Sequence, residues 1–473
     1  MTFRDSITIA ASASIEQAFR QLNAAQRGIL FAVSDDGRVI GCVTDGDIRR
    51  QLLVKNDLAT PLSVFMNRNF THAKVGSPRE QILKLLDTRV HVVPVLDGEG
   101  RLVNLCSRDE FRLQDENEVF ARARAPARIS FGGGGTDLTH FFFDKGGVVI
   151  NATIAKYAHA TLRWRKDEQI HIYSHDLQAR VEARDLSELR LDGETGLINS
   201  AVALIKPQAG FELEVASDFP VGSGLGGSAA VTAAIIGCFN EFRSDPWTRH
   251  QIAEMAFQSE RLMLNIAGGW QDQYATTFGG FNFMEFSAGE NIIVPLRLEA
   301  RTLRELEACF VLCHTGRNHH SGAIHADQKT RMQSSPEAAR AAGRQKDITA
   351  EMHRALLRGE VHVYGRLLHE AWQAKRQLSD LISDSATDGI YAHAMNNGAE
   401  GGKILGAGGG GYFLFFAPPF ARYRLVNALK DIGYDCERLI LDADGLQSWK
   451  MRVPAPPGGI MIRSEGTLPA EIV

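Results

Sequence analysis

Cysteine is sparse and unpaired in this sequence, with six residues in 473 and no CxxC spacing. Cys42, Cys106, Cys238, Cys309, Cys313 and Cys436 therefore read as scattered, mostly buried free thiols rather than a disulfide framework. No apolar run reaches the length that a membrane-crossing helix needs. The opening MTFRDSITIA lacks a basic segment followed by an apolar stretch, so a cytoplasmic protein is expected. Charge is also unremarkable in sign: a net −4 at pH 7 gives no general pull towards nucleic acid or an anionic membrane. GxxxxGK[ST] is absent, which removes the P-loop reading. A hydrophobic fraction of 44% is ordinary for a globular protein, and the length implies two or three structural units.

Residues 1–113 contain an internal repeat. SIEQAFRQL (Ser14 to Leu22) reads like PREQILKLL (Pro78 to Leu86), and DDGRVIGCVTDGDIRR (Asp35 to Arg50) reads like GEGRLVNLCSRDEFR (Gly98 to Arg112). Each copy is a β-α-β-β-α unit. Neither can bury its apolar face alone, so the two should pack together. The pattern resembles a CBS-domain pair, a module that often binds adenosine nucleotides. The resemblance implies that Thr44 and Asp47 would contact phosphate and ribose, with Ser107 and Glu110 at the same spacing in the second copy. The plainer alternative is that Thr44 caps the helix beginning at DGDIRRQLL. The module would then be structural, or would pair subunits into a homodimer.

A short acidic-then-basic stretch, 114–121, reads as a linker. From Arg122 to Val473, strand patterns (APARISF, FELEVASDF, CFVLCHTG, YFLFFA) interleave with helical patterns at 228–242, 249–265, 335–358 and 361–380. This predicts an α+β unit.

Glycine is abundant, and three clusters stand out: FGGGGTDL, PVGSGLGGSAAVTAAI and KILGAGGGGYFLFF. In the second, a strand ends at Pro220, a glycine loop follows, and a helix of small residues begins. That order aims backbone N–H groups at an anion, and the helix dipole adds favourable potential. Pro220, Gly224, Leu225, Gly227, Ser228, Ala229 and Ala230 resemble the second motif of the GHMP kinases, P-x-x-x-G-L-x-S-S-A-A. Ala125, Pro126, Arg128, Gly135, Thr136 and Asp137 resemble the first, and KILGAGGGGYFLFF the third. Within the family, FGGGGTDL looks most like the kinases of D-glycero-D-manno-heptose 7-phosphate.

The resemblance implies a two-lobed kinase preceded by a small α/β CBS pair, with an ATP-binding lobe at about 122–300 and a second lobe at about 301–473. ATP phosphates would lie on Gly222, Ser223, Gly224, Leu225, Gly226, Gly227 and Ser228. Magnesium would be held by Ser228 and Glu260, which sits on an apolar stripe with Ala253, Phe257 and Leu264 where a carboxylate needs a partner. Asp272 in GGWQDQ would take the proton of the attacking hydroxyl, and Arg128 would stabilise transferred charge. Gly134, Gly135, Thr136, Asp137, Arg317, Gly408 and Gly409 would contact the sugar. A plain helix cap is the alternative for Ser228 and Asp137, a surface glutamate for Glu260 and a turn for Asp272. Trp270 is a departure, since the heptose kinases usually carry Lys there.

A phosphorylated substrate needs cations, and Arg317, His319, His320, Lys156, Lys206 and Lys403 are candidates. His314, His319, His320 and His325 lack a zinc spacing. The implied activity is ATP-dependent phosphorylation of the anomeric hydroxyl of a heptose 7-phosphate, in the making of nucleotide-activated heptose for surface polysaccharide. The alternatives are a kinase of an unphosphorylated, fucose- or galactose-like sugar, or a catalytically dead nucleotide sensor.

Overall fold

The alternation of small and charged residues in FARARAPARISF decides how the larger part of the chain packs. The computed structural model describes residues 6–25, 28–86, 90–108, 117–317 and 321–454. Two units emerge, Met1–Asp115 and Glu116–Val473.

In the larger unit, strand Asn117–Gly132 buries Ala121, Ala123, Ala125, Ala127, Ile129 and Phe131 on one face, the period-2 pattern of a half-buried strand. Its small residues admit helix Gly227–Asn240 at close range. A Cβ built on Gly237 would stand 3.4 Å from Ala123 and 3.0 Å from Leu446. That helix is apolar all round because it is central. It contacts the sheet as well as helices Gly196–Ile205, Arg249–Phe257 and Gln271–Phe278. The long strand Gly147–Trp164 organises the sheet. Asn117–Gly132 pairs along it, and Phe211–Ser217 and Phe281–Phe286 pair with its two halves.

A second, four-stranded antiparallel sheet follows, in the order Gly401–Ile404, Tyr412–Phe416, Phe310–His314, Cys436–Arg438. It packs against helices that include Pro336–Arg358 and Tyr364–Arg376. The mixture is the α+β fold expected. The chain then returns: strand Gln447–Pro454 pairs antiparallel with Asn117–Gly132 in the first sheet. The second lobe is therefore not one continuous stretch to the end of the chain. Residues 117–121, expected within the linker, are already strand, because their backbone is paired with Lys450–Pro454.

In the smaller unit each copy of the repeat forms a three-stranded sheet, Thr8–Ala10, Ile29–Val33 and Val39–Thr44 in the first, and Ala73–Lys74, Val92–Leu96 and Leu102–Ser107 in the second. Ile7, Phe31, Val39 and Cys42 of the first copy share a buried cluster with Leu96 and Leu102 of the second, so the copies do close on one another. Glu110 lies outside the described residues. All six cysteines are free. Among the described residues no helix is long and apolar enough to cross a membrane.

The pairing of Asn117–Gly132 with Gln447–Pro454 should make both ends of the larger unit necessary to it. Residues 116–473 alone are expected to melt in one cooperative transition by circular dichroism. Removing 447–473 as well should lower the midpoint by about 5 °C or more, since a few kcal/mol of packing is lost. Equal midpoints would show that the last strand adds nothing.

Candidate active site

The second glycine cluster forms a loop between strand Phe211–Ser217 and helix Gly227–Asn240. Gly226 precedes the helix with φ 74° and no side chain caps the first turn. The first-turn N–H groups thus lack a side-chain partner, as an anion site requires. Gly222, Ser223, Gly224, Gly226, Gly227 and Ser228 line a cleft of about 560 Å³. Leu225 does not line it. Its side chain is in the core and its carbonyl accepts the Arg128 N–H at 2.8 Å.

The third glycine cluster backs this loop. A Cβ at Gly411 would lie 2.3 Å from the Ser223 carbonyl oxygen, and one at Gly406 would lie 2.7 Å from Gly224 Cα. Only glycine lets the two backbones approach so closely. Gly406 and Ala407 line the cleft, whereas Gly408 and Gly409, expected at the sugar, do not. Gly408 is packed against Ile382, and the Gly409 N–H is spent on the Ile382 carbonyl.

Asp272 lies in the first turn of helix Gln271–Phe278. The Arg128 guanidinium grips it through both oxygens, each at 2.7 Å, and donates from its remaining nitrogen to the Gly224 carbonyl at 2.7 Å. Asp137 sits beside them, 3% exposed, accepting from the backbone N–H of Gly135 at 3.1 Å and of Gln271 at 3.3 Å. Burial, with the Asp272 charge nearby, holds the Asp137 carboxyl above the ordinary range. Gly134 and Gly135 line the same end of the cleft. Thr136 was expected there too, but its hydroxyl lies 2.8 Å from both the Gly133 and Val148 carbonyls, with one proton to donate to either, and accepts from the Val148 N–H. It holds the loop and does not face the cleft. Trp270 turns away as well, stacking on Phe257 with ring centroids 3.5 Å apart and donating to Thr139. The departure from Lys at this position therefore leaves the cleft wall untouched.

Helix Arg249–Phe257 runs into a π-helical turn, Gln258–Met263, a distortion that recurs at functional sites. The turn carries Glu260, 4% exposed, whose carboxylate accepts from Ser228 Oγ at 2.6 Å and Gln273 Nε2 at 2.9 Å. Arg261 also reaches it, with Nη1 3.1 Å away, while Arg261 Nε is buried without a partner. Ser228 is thus a partner of Glu260 rather than a helix cap. One hydroxyl and one carboxylate suit a hard cation that keeps phosphate and water ligands. No group of three or more His, Cys, Asp or Glu among the described residues could hold a metal alone.

Arg317, expected to meet a substrate phosphate, is half exposed, pairs with Asp384 and does not line the cleft. Lys156 is paired with Glu437. His319 and His320 lie outside the described residues. Lys403 does line the cleft, together with Lys375, Arg261 and His325, of which the sequence reading missed Lys375 and Arg261. Lys375 left a signal: it falls four residues after Ala371 and seven after Leu368, on the apolar stripe of its helix. A charge on a buried stripe is unusual enough to mark a site. In the smaller unit, Thr44 and Asp47 form a capping box: Thr44 Oγ1 accepts from the Asp47 N–H, and the Asp47 carboxylate accepts from the Thr44 N–H at 2.9 Å. A nucleotide would have to compete for the same oxygens.

Gly269 tests the acceptor end directly, because a Cβ there would fall 1.9 Å from Asp137 Oδ2. Gly269→Ala should displace Asp137 and Asp272 together. A misplacement of this size costs about 10²-fold in turnover, measured by a coupled assay on protein shown to be folded. Activity within twofold of wild type would mean that Asp137 is not held by this contact.

Comparison with known proteins places this geometry. The sequence profile of the GHMP kinases N terminal domain matches residues 196–280, and that of the CBS domain matches 2–54 and 62–113. The D-glycero-alpha-D-manno-heptose 7-phosphate kinase of Campylobacter jejuni subsp. jejuni serotype O:2 is 37% identical over 339 residues, 70% of this chain and 99% of that protein. A crystal structure of a D-glycero-D-manno-heptose 1-phosphate kinase from Bacteriodes thetaiotaomicron is similar with a TM-score of 0.60 and 30% identity, over 70% of this chain and 99% of its own. The L-fucokinase/L-fucose-1-P guanylyltransferase of Bacteroides fragilis is 26% identical over 75% of this chain, but over 41% of that protein. The glycine loops, the family profiles and a relative matched along nearly its whole length agree, and the chain belongs to the GHMP kinase family, with a CBS-domain pair ahead of its kinase unit.

Proposed function

We propose that this protein transfers the γ-phosphoryl group of ATP to the anomeric hydroxyl of a heptose that already carries a phosphate. The observation that carries this reading is the position of Arg128, which bonds Asp272 at the acceptor end and Gly224 in the phosphate loop. The similarity to heptose phosphate kinases supports the sugar class. ATP phosphates would lie along the glycine loop and the open helix start. Leu197, Ile198, Val215, Phe219 and Val231 give the cleft an apolar wall suited to an adenine ring.

The acceptor is oriented by Asp137 and its hydroxyl faces Asp272. Both Asp272 oxygens accept from Arg128, yet each keeps a lone pair for a further donor. As the sugar oxygen bonds to the γ-phosphorus, its proton passes to Asp272. The bond from that phosphorus to the bridging oxygen breaks and ADP leaves with the electron pair. Asp272 then returns the proton to solvent. Ser228 and Glu260 would hold magnesium, which neutralises phosphate charge when bound. Catalysis is otherwise positioning and electrostatics, as phosphoryl transfer requires.

A coupled ADP-release assay over a panel of sugars tests the reading. Heptose 7-phosphate should have the highest kcat/KM. A higher value for fucose or galactose would replace the reading with a monosaccharide kinase, and no turnover with any sugar would indicate a sensor.

Asp272→Asn keeps size but removes the proton acceptor. Turnover is expected to fall by about 10²–10⁴ with ATP affinity retained. A variant with half the wild-type kcat would remove Asp272 from the role of base.

A further inference from the structure

Four permanent or potential cations line the cleft besides its histidine: Arg128, Arg261, Lys375 and Lys403. Arg128 is committed to Asp272 and Arg261 to Glu260. The lysines are different. Lys375 is 4% exposed and Lys403 3%, and neither has a carboxylate in salt-bridge contact among the described residues. Lys375 Nζ donates to the carbonyls of Ile404 at 2.8 Å and Gly406 at 2.7 Å, and Lys403 Nζ donates to that of Phe131 at 3.2 Å. An ammonium offers three donors, so one remains on Lys375 and two on Lys403.

These contacts also fix where the pair sits. Lys375 is tied to the third glycine loop, and Lys403 to the strand that leads into the Asp137 loop. Both feel the charges of Arg128 and Asp137, so they belong to the acceptor end. Burial and neighbouring positive charge drive Lys375 well below the usual lysine range, and burial with Arg128 brings Lys403 down to about 7. His325 beside them is pushed down to about 4 by burial, so it adds no third cation at neutral pH. Burial thus penalises the charged form of both amines, and a dianion seated between them would offset that penalty and favour their protonation.

We propose that Lys375 and Lys403 form the seat for the phosphate that the acceptor sugar already carries, an inference that rests on the phosphorylated acceptor proposed above. Of the cations that the sequence offered for this role, Lys403 is kept and joined by Lys375, while Arg317 does not line the cleft. It would select phosphorylated over free sugar by matching a dianion to donors that nothing else in the cleft satisfies.

The test compares the full chain with Lys375→Met and Lys403→Met, using heptose 7-phosphate and free heptose as acceptors. Each substitution should lower the ratio of kcat/KM for the phosphorylated over the free sugar by about 10–100-fold, the range for a lost charge-assisted bond, chiefly through KM for the phosphorylated acceptor. An unchanged ratio, with both acceptors losing kcat alike, would assign the pair to the transferred phosphoryl group and overturn the proposal. If the variants do not fold, inorganic phosphate inhibition of the wild type decides: competition against the sugar phosphate at saturating ATP supports the seat, and competition only against ATP overturns it. If wild type phosphorylates no heptose, the functional reading fails separately. Calorimetry of inorganic phosphate in saturating ADP, on wild type and the double variant, then reports on the anion seat alone, with loss of binding supporting it and equal binding overturning it.

Discussion

The Arg128 side chain is the fixed point of the kinase unit. It is 4% exposed and spends its donors on Asp272 and on the Gly224 carbonyl, while its own N–H holds the Leu225 carbonyl. One residue therefore sets the second glycine loop and Asp272 against the same strand. A buried pair of this kind adds little net stability relative to an apolar one, but removing one partner leaves an uncompensated charge that costs about 3–5 kcal/mol. The positions of the reacting groups are thus enforced by a penalty for disorder. The strand makes this workable, since its alanine face takes the central helix and leaves Arg128 and Ser130, on its other face, to line the cleft.

Two helix starts, one in each unit, show opposite uses of similar residues. In the smaller unit Thr44 and Asp47 close the first turn with side-chain oxygens, which leaves those donors satisfied. In the kinase unit the helix begins from Gly226 in a left-handed conformation, and Ser228 is drawn off to Glu260. The first is a stable end, the second an open one.

The glycine loops, Arg128, Asp137, Ser228, Glu260 and Asp272 were legible because each motif is short and its spacing answers a local need for close approach or a helix start. The residues that do not line the cleft show where that logic stops. Leu225, Thr136, Gly408 and Gly409 lie within loops that reach the cleft, yet a motif does not say which side of a loop faces it. The Thr136 hydroxyl, the Leu225 carbonyl and the Gly409 N–H are bonded within the protein, and Gly408 packs on Ile382. Arg317 failed because a partner far along the chain, Asp384, claims it. For Lys375 the sequence carries only its place on an apolar stripe; that it faces the cleft follows from its helix packing on the strand that carries Lys403.

The π-helical turn at Gln258–Met263 makes chain length itself a functional parameter. Glu260 and Arg261 are neighbours in sequence, and in a regular α-helix successive side chains diverge by about 100°. Here both reach the cleft from one widened turn. The wide turn is equivalent to one residue too many in the helix that begins at Arg249. A lineage of this kinase could exchange many side chains along that helix, but losing a single residue from it would rewind the turn and swing Glu260 away from Ser228. The spacing from Thr248 to Glu260 is therefore constrained by geometry, independently of which amino acids fill it.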